Sequence, residues 1–480
     1  MSKNFGECGS ATQPLDQSRA PLFEALVRYM QQVRAPFHVP GHKMGAAAPD
    51  DLRRWLGAGA LRMDLTEAPG LDDLHAPEGV IAEAQALAAE AFGAARTFFL
   101  VGGTTAGLHG LVLAACQPGD VLAVPRNAHR SVLGALILAG VRPAWVRVAY
   151  HEELDLATRV DQTSLRESLA GAKAALLIHP SYYGMVGDLA AEIAMVHEAG
   201  LPVLVDEAHG THFAFHPALP PSALECGADG VVQSMHKTGG SLTQSSLCHL
   251  GRGHRLAESR VREMLRLVQS TSPSYLLMAS LDLARRDLAL RGRQRWEKAI
   301  DLAVAASRRL NRERGLRVWQ TDDPTKLLID VTGRGLTGFQ AAEWLWSRGV
   351  AVEAAGLRFL LAVVTPGDTP ETMETLVAAL AALPEGPGAP PAPELPPWPD
   401  VVLPPREAFL GPKEAVPLGD SVGRIAAEWV APYPPGIPVV APGERLTLDV
   451  VRYLQEAARA GYHLQGPADL RLRTIQVVRE

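Results

Sequence analysis

The stretch PVLVDEAHG, residues 202–210, reads as a β-strand that is apolar on both faces and ends on an acid, Asp206. A strand apolar on both faces is covered on both, which is the mark of a parallel sheet sandwiched between helices. The aspartate at its end must find a cation or N–H donors, because an unpaired buried carboxylate costs several kcal/mol. The surrounding sequence repeats the pattern. Residues 98–101 (FFLV), 120–125 (DVLAVP), 143–150 (PAWVRVAY), 174–180 (AALLIHP), 230–236 (GVVQSMH) and 245–251 (SSLCHLG) are further short apolar runs, giving seven predicted strands. Helix-like segments lie between several of them, among them residues 105–116 (TAGLHGLVLAAC) and 189–200 (LAAEIAMVHEAG), the second closing on Gly200 as a helix C-terminus does. This alternation predicts a mostly parallel α/β domain.

In such sheets ligands meet the carboxyl ends of the strands. Four ends carry candidate chemistry. Gly102-Gly103-Thr104-Thr105 follows the first strand and opens a helix, whose free N–H groups and dipole favour a phosphate. The same four residues also make an ordinary turn and N-cap, and no Gly-Lys-Ser/Thr follows to make a Walker loop. His129 and Ser131 follow the second strand, where a lone histidine is more often structural. Asp206-Glu207-Ala208-His209 end the stretch quoted above. Ser234-Met235-His236-Lys237 follow GVVQ. Lys237 is not the default basic residue, since only seven of the 46 Lys and Arg residues are lysines. Together the four ends offer a phosphate cradle, an imidazole to stack on a ring, a carboxylate to keep a pyridine nitrogen protonated, and an amine to bond an aldehyde. Those are the needs of pyridoxal phosphate.

Two other readings compete. His42-Lys43 repeats the His-Lys pair, but Lys43 precedes the first predicted strand and has nothing rigid to aim it, so it fits an entrance or a subunit contact better. His209, His212 and His216 have a spacing that would converge on a metal if helical. Gly210 and the alternating Phe213 and Phe215 speak against a helix there, so no metal is expected and His209 is placed beside the cofactor.

The chain of 480 residues exceeds the size of one core, so two or three domains are expected. Hydrophobic residues at 47%, charged residues at 20% and a net charge of -6 fit a globular enzyme and speak against nucleic acid as a partner. The amino-terminal stretch lacks the apolar core of a secretion signal, and no run is apolar enough to cross a membrane. Cys8, Cys116, Cys226 and Cys248 show no C-x-x-C spacing and read as reduced thiols of a cytoplasmic protein. The expected organisation is an amino-terminal segment (1–50), a large cofactor-binding domain (51–300), a small α+β domain (301–384), a Pro-rich linker (385–405) and a carboxy-terminal α+β domain (406–480).

Long motifs now fall in order: PFHVPGHKMG (36–45), DLTEAPGLDDLHAPEGVIAEAQ (64–85), FFLVGGTTAGLHG (98–110), VPRNAHRSV (124–132), VDEAHGTHF (205–213), SMHKTGGSLTQSS (234–246), TSPSYLLMASLD (271–282) and PPGIPVVAPGE (434–444). In these the chain resembles the Orn/Lys/Arg decarboxylase family, in its short bacterial form without the amino-terminal wing. The resemblance implies a fold-type I (aspartate aminotransferase-like) pyridoxal-phosphate fold with a seven-stranded sheet. It implies that Lys237 carries the cofactor, that Asp206 pairs with the ring nitrogen, and that His129 and Ala208 sandwich the ring. Gly103, Thr104, Thr105, Ser234 and His236 would hold the phosphate, helped by Ser270 or Thr271 of a second subunit in a homodimer or larger assembly. His236 or Lys237 would return a proton to the substrate. Glu444 and His209 would contact the substrate, with Asp72 and Asp73 as further acids for its cationic end; the loop carrying these two reads equally as a helix cap. The implied reaction is decarboxylation of a small cationic amino acid, arginine to agmatine ahead of lysine to cadaverine or ornithine to putrescine, feeding polyamine synthesis. An aminotransferase or a non-catalytic regulator on the same fold is the alternative. Where relatives carry Asn-Gly-Thr-Ser, this chain has Gly-Gly-Thr-Thr, a change that touches the fine geometry of the phosphate cradle.

Overall fold

The computed structural model describes residues 14–479 except 152, 154, 155, 434 and 435, so Cys8 lies outside the described residues. The predicted apolar runs form one sheet of seven strands: β1 (Arg96–Leu100), β2 (Val121–Pro125), β3 (Arg142–Val146), β4 (Ala174–Ile178), β5 (Val203–Asp206), β6 (Gly230–Gln233) and β7 (Ser246–Leu250). Their order is β1-β7-β6-β5-β4-β2-β3. From β6 across to β3 all pairs are parallel, whereas β7 runs antiparallel to both of its neighbours. Every residue of β5, β6 and β7 is buried, as strands covered on both faces require.

One predicted strand divides. Residues 143–150 turn out of the sheet at Arg147, and Val148–His151 pairs instead with Leu156–Val160 as an irregular hairpin. The apolar run is continuous, but an edge strand gains neighbours on one side only, and the second half folds outward into a hairpin whose Ala157 lines the cavity described below.

Helix Gly103–Ala115 packs on one face of the sheet between Arg130–Ala139 and Glu258–Val268. It lies close because glycines face the contacts: a Cβ on Gly107 would stand 2.7 Å from Leu100 Cδ1 and 2.8 Å from Val232 Cγ1, and one on Gly110 would stand 2.6 Å from Leu265 Cδ2. Glycine here trades helix propensity for close approach, so that the helix begins at the carboxyl end of β1. On the opposite face, Leu189–Glu198 ends at Ala199 and is followed by Gly200 at φ 74°, the left-handed residue after a helix.

The helix Tyr275–Leu310 has 36 residues, about 54 Å. Its N-cap Ser274 accepts from the Leu277 N–H, and it runs from the large core through residue 300 into the smaller unit, burying Trp296 on the way. That unit is an antiparallel sheet, Arg317–Trp319, Lys326–Asp330, Phe359–Val363 and Ala354–Ala355 in order, with helices Gly338–Trp346 and Pro370–Ala381. The Pro-rich segment is extended, yet it is held against the protein: Pro393, Pro396 and Pro399 are buried at every third residue, the repeat of a polyproline helix.

Arg126, just beyond β2, fastens the carboxy-terminal unit to the sheet. Its guanidinium lies 4.6 Å from the ring centres of both Trp145 and Trp398. It donates to both carboxylate oxygens of Glu444 and, at 3.0 Å, to the Val439 carbonyl. Both charges are 1% exposed. Removing one partner of such a pair strands the other charge in a dry site, a loss of about 3–5 kcal/mol. Arg126→Met is therefore expected to lower the unfolding free energy by that amount, read as a reduced urea midpoint.

Candidate active site

A cavity of about 260 Å³ opens at the carboxyl ends of β2, β4, β5 and β6. Of the predicted residues, Thr104, His129, Asp206, Ala208, His209 and Lys237 all face it. Register explains why. Asp206 pairs with Val232 across parallel strands, so the chain leaves β6 beside the aspartate and turns at once through a π-helical turn, Met235–Gly239, that carries Lys237.

Asp206 is 7% exposed, and its Oδ1 accepts from the Ala208 N–H at 3.1 Å. Burial pushes its pKa up while Lys237 pulls it down, and burial prevails. Lys237 lies deep in the chain but its side chain opens into the cavity; burial lowers its pKa against the pull of Asp206 and Glu353. Its Nζ is 2.8 Å from His209 Nε2.

His129 caps helix Arg130–Ala139: Nδ1 accepts from the Ser131 N–H at 3.2 Å and lies 2.8 Å from Ser131 Oγ. With Nδ1 accepting, the ring proton resides on Nε2. Burial, then Lys237, drives its pKa down to about 4, so it stands in the cavity wall as a neutral ring. Thr104 Oγ1 and Ser234 Oγ are 3.1 Å apart, beside the helix that starts at Gly103 with φ 72°. Two hydroxyls and a helix N-terminus form an anion cradle. Thr105 is exposed one residue further on, and His236 lies behind the wall with Nδ1 2.9 Å from the Ser245 carbonyl.

Other predicted residues lie elsewhere. Glu444 does not reach the cavity, because its carboxylate is engaged by Arg126 and by the Ala441 N–H. Asp72 caps helix Val80–Phe92, accepting from the N–H groups of Glu78, Gly79 and Ile81; burial raises its pKa and these bonds more than offset that. Asp73 accepts from the His75 N–H. The cap reading of that loop thus describes Asp72, whose carboxylate is committed to the helix start. Ser270 and Thr271 are exposed on the surface of the chain. Lys43 donates to the His38 carbonyl at 2.7 Å. His212 and His216 turn to Asp323 and Glu297, away from His209.

Among the lining residues that escaped the sequence reading, three carry groups that could meet a substrate. Tyr182 follows β4, a fifth strand end that the strand-end rule covers. Its hydroxyl donates to Glu353 Oε1 at 2.7 Å. Glu353 comes from the small unit and Tyr433 from the carboxy-terminal unit, so only the assembled chain brings them to the cavity. Glu353 is the second carboxylate of the cavity lining, besides Asp206.

Behind Asp206 a buried relay fixes the strand ends. Thr97 Oγ1 donates to His249 Nδ1 at 2.8 Å, His249 Nε2–H donates to Gln233 Oε1 at 3.1 Å, and Gln233 Nε2 donates to Glu207 at 2.7 Å. Burial pushes Glu207 up to about 8 and His249 down to about 3.

Pyridoxal phosphate fits these residues. The buried Asp206 carboxylate calls for a cationic N–H partner, which a pyridinium supplies; His129 and Ala208 offer the ring a slot; the hydroxyl pair faces the phosphate; and Lys237 is an amine. Fold and site together define a fold-type I pyridoxal-phosphate enzyme. Residues 20–322 match the model of the Orn/Lys/Arg decarboxylase major domain and residues 398–468 that of its C-terminal domain. The chain is 40% identical to the arginine decarboxylase of Bacillus subtilis, covering 97% of this chain and 99% of that one. It is also 40% identical to the arginine decarboxylase of Bacillus anthracis, over 97% and 98%. The fold resembles the constitutive lysine decarboxylase of E. coli at TM-score 0.84 and 21% identity, over 97% of this chain and 82% of that one. More distantly it resembles the serine palmitoyltransferase of Sphingomonas wittichii at TM-score 0.53 and 18% identity, over 71% and 84%. The chain belongs to the Orn/Lys/Arg decarboxylase family and is a pyridoxal-phosphate-dependent decarboxylase of a basic amino acid. Among the described residues no helix is long and apolar enough to cross a membrane.

The relay sets a pH dependence. His249 has a folded pKa of about 3 against about 6.5 unfolded, so its contribution to stability is full above 6.5 and is lost as pH falls through that window. Relative to the parent, His249→Gln is expected to gain about 1 kcal/mol of unfolding free energy between pH 6.5 and 5.5, checked by urea unfolding at both values.

Proposed function

We propose that the chain converts L-arginine to agmatine and carbon dioxide, in the cytoplasm, as a homodimer or larger assembly. The observation that carries this is Glu353, held by Tyr182 in the same cavity as Lys237 and Asp206. A second carboxylate in the cavity suits a guanidinium or ammonium group and makes a second substrate carboxylate unwelcome. The arginine-specific names of relatives 40% identical along the whole chain support arginine over lysine and ornithine.

Lys237 would hold the cofactor and give way to the substrate amine. Asp206 would keep the ring nitrogen protonated, and pyridoxal phosphate then supplies the electron sink that lets carbon dioxide leave. His129 and Ala208 would clamp the ring, with Thr104, Thr105, Ser234 and His236 around the phosphate. His209 would steer the Lys237 amine, and Lys237, which opens into the cavity where His236 does not, would return a proton to Cα. A carboxylate that departs within this largely enclosed cavity would be poorly solvated, which favours its release as a neutral gas. Ser270 and Thr271, exposed in one chain, would complete the phosphate site of a second copy.

Purified protein with cofactor is expected to release labelled carbon dioxide from carboxyl-labelled arginine, with slower or no release from lysine and ornithine. Detection of a keto acid in place of agmatine would point to transamination, and silence on all three substrates would sink the proposal. Borohydride reduction should fix the cofactor on the peptide bearing Lys237; an adduct on Lys43 would overturn that assignment. Glu353→Gln should lower kcat/KM for arginine by about 10- to 100-fold, the worth of one hydrogen bond to a charged group, mainly through KM.

A further inference from the structure

Lys326 is a buried ionisable residue that the reading above leaves unused. It opens the small-unit strand Lys326–Asp330 and is 2% exposed. Its Nζ is 3.2 Å from His209 Nδ1, and Nε2 of the same ring is 2.8 Å from Lys237 Nζ. One imidazole therefore joins the two lysines.

A neutral imidazole offers one N–H and one lone pair. Burial first, and then the lysines on either side, hold His209 neutral. With both contacts made, the ring donates to one lysine and accepts from the other. The lysine that receives the ring N–H must be a free amine. The two lysines then share one excess proton through the ring.

The charged neighbours bear on both ends. Asp206 and Glu353 face Lys237; Asp323 and Glu353 face Lys326; His129 and His212 face His209. Asp323 is itself bound to His212 at 3.1 Å and to Thr325 Oγ1 at 2.6 Å. The Tyr182 ring stands edge-on to His209, its centre 4.9 Å away. Burial brings Lys326 down to about 8, where a lysine exchanges its proton near neutral pH.

We propose that Lys326 is a positioning residue that shares a single proton with Lys237 through His209 and so lets Lys237 be presented as a free amine. The proton leaves Lys237 Nζ for His209 Nε2 as the Nδ1 proton passes to Lys326 Nζ. Only N–H bonds are exchanged, and the trio keeps a single positive charge. A free amine is what Lys237 needs in order to bond a carbonyl, and a proton that can return is what it needs to act later as an acid. The proposal rests on Lys237 being the cofactor-bearing lysine, but its test requires neither substrate nor turnover, so failure to release carbon dioxide from any amino acid would leave it standing or falling separately.

The full chain, freed of cofactor, is labelled with trace acetic anhydride from pH 6 to 10, and mass spectrometry of the Lys237 peptide gives the midpoint of its reactivity. Lys326→Met should raise that midpoint by about one pH unit or more, since Lys237 loses both its proton acceptor and a neighbouring cation. In a His209→Phe background the same substitution should move the midpoint far less, in the manner of a double-mutant cycle. An unchanged midpoint in Lys326→Met overturns the link, and a shift undiminished without His209 reduces it to a field effect and overturns the relay. Should Lys326→Met not fold, Lys326→Arg keeps the charge but cannot accept a proton. It should lower the Lys237 midpoint, and a rise or no change would overturn the proposal.

Discussion

The parallel pairing of β5 with β6 is the constraint on which the site depends. Both strands are buried throughout, so neither can carry a polar side chain until it ends. Register sets Asp206 opposite Val232, and the chain leaving β6 has only a π-helical turn in which to place Lys237. Acid and amine are neighbours because two backbones are hydrogen-bonded in step. The relay of Thr97, His249, Gln233 and Glu207 ties β1, β7, β6 and β5 together beneath them. The strand ends are thus held by bonds inside the sheet as well as by the strands' own ladders.

That dependence also explains what could be read from the sequence. Strands buried on both faces leave continuous apolar runs, and a polar residue just past such a run is conspicuous; Thr104, His129, Asp206 and Lys237 were legible for that reason. Tyr182 obeys the same rule at the end of β4. Glu353, Tyr433 and Lys326 follow no local rule, because the first two reach the cavity, and Lys326 the imidazole in its wall, from units folded over the sheet, and neither their spacing nor their neighbours encode that approach.

Charged residues in loops misled for the opposite reason. Asp72 and Glu444 sit in motifs that look reserved for chemistry, yet each satisfies a local physical debt: backbone N–H groups at a helix start for Asp72, and a buried guanidinium for Glu444. The run at residues 143–150 shows a related limit. Apolar content forecast strand throughout, but whether a strand continues along an edge or folds back as a hairpin depends on what lies above the sheet.

The division of labour between arginine and lysine follows the same physics. Of 46 basic residues only seven are lysines, and two of those seven meet at one imidazole in the cavity. Where the chain needs a charge that never leaves, it uses arginine: Arg126, between two tryptophans and bound to a buried carboxylate, holds the carboxy-terminal unit on the sheet. A guanidinium stays protonated at any pH the protein meets, so it can anchor but cannot bond a carbonyl or pass on a proton. An amine can do both once burial has weakened its hold on the proton. Burial acts on Lys237 and Lys326 alike, and the carboxylates Asp206 and Asp323 beside them keep either from being stranded as a lone charge. In a chain that uses arginine for most of its positive charge, two of the seven lysines stand where the charge has to be able to leave.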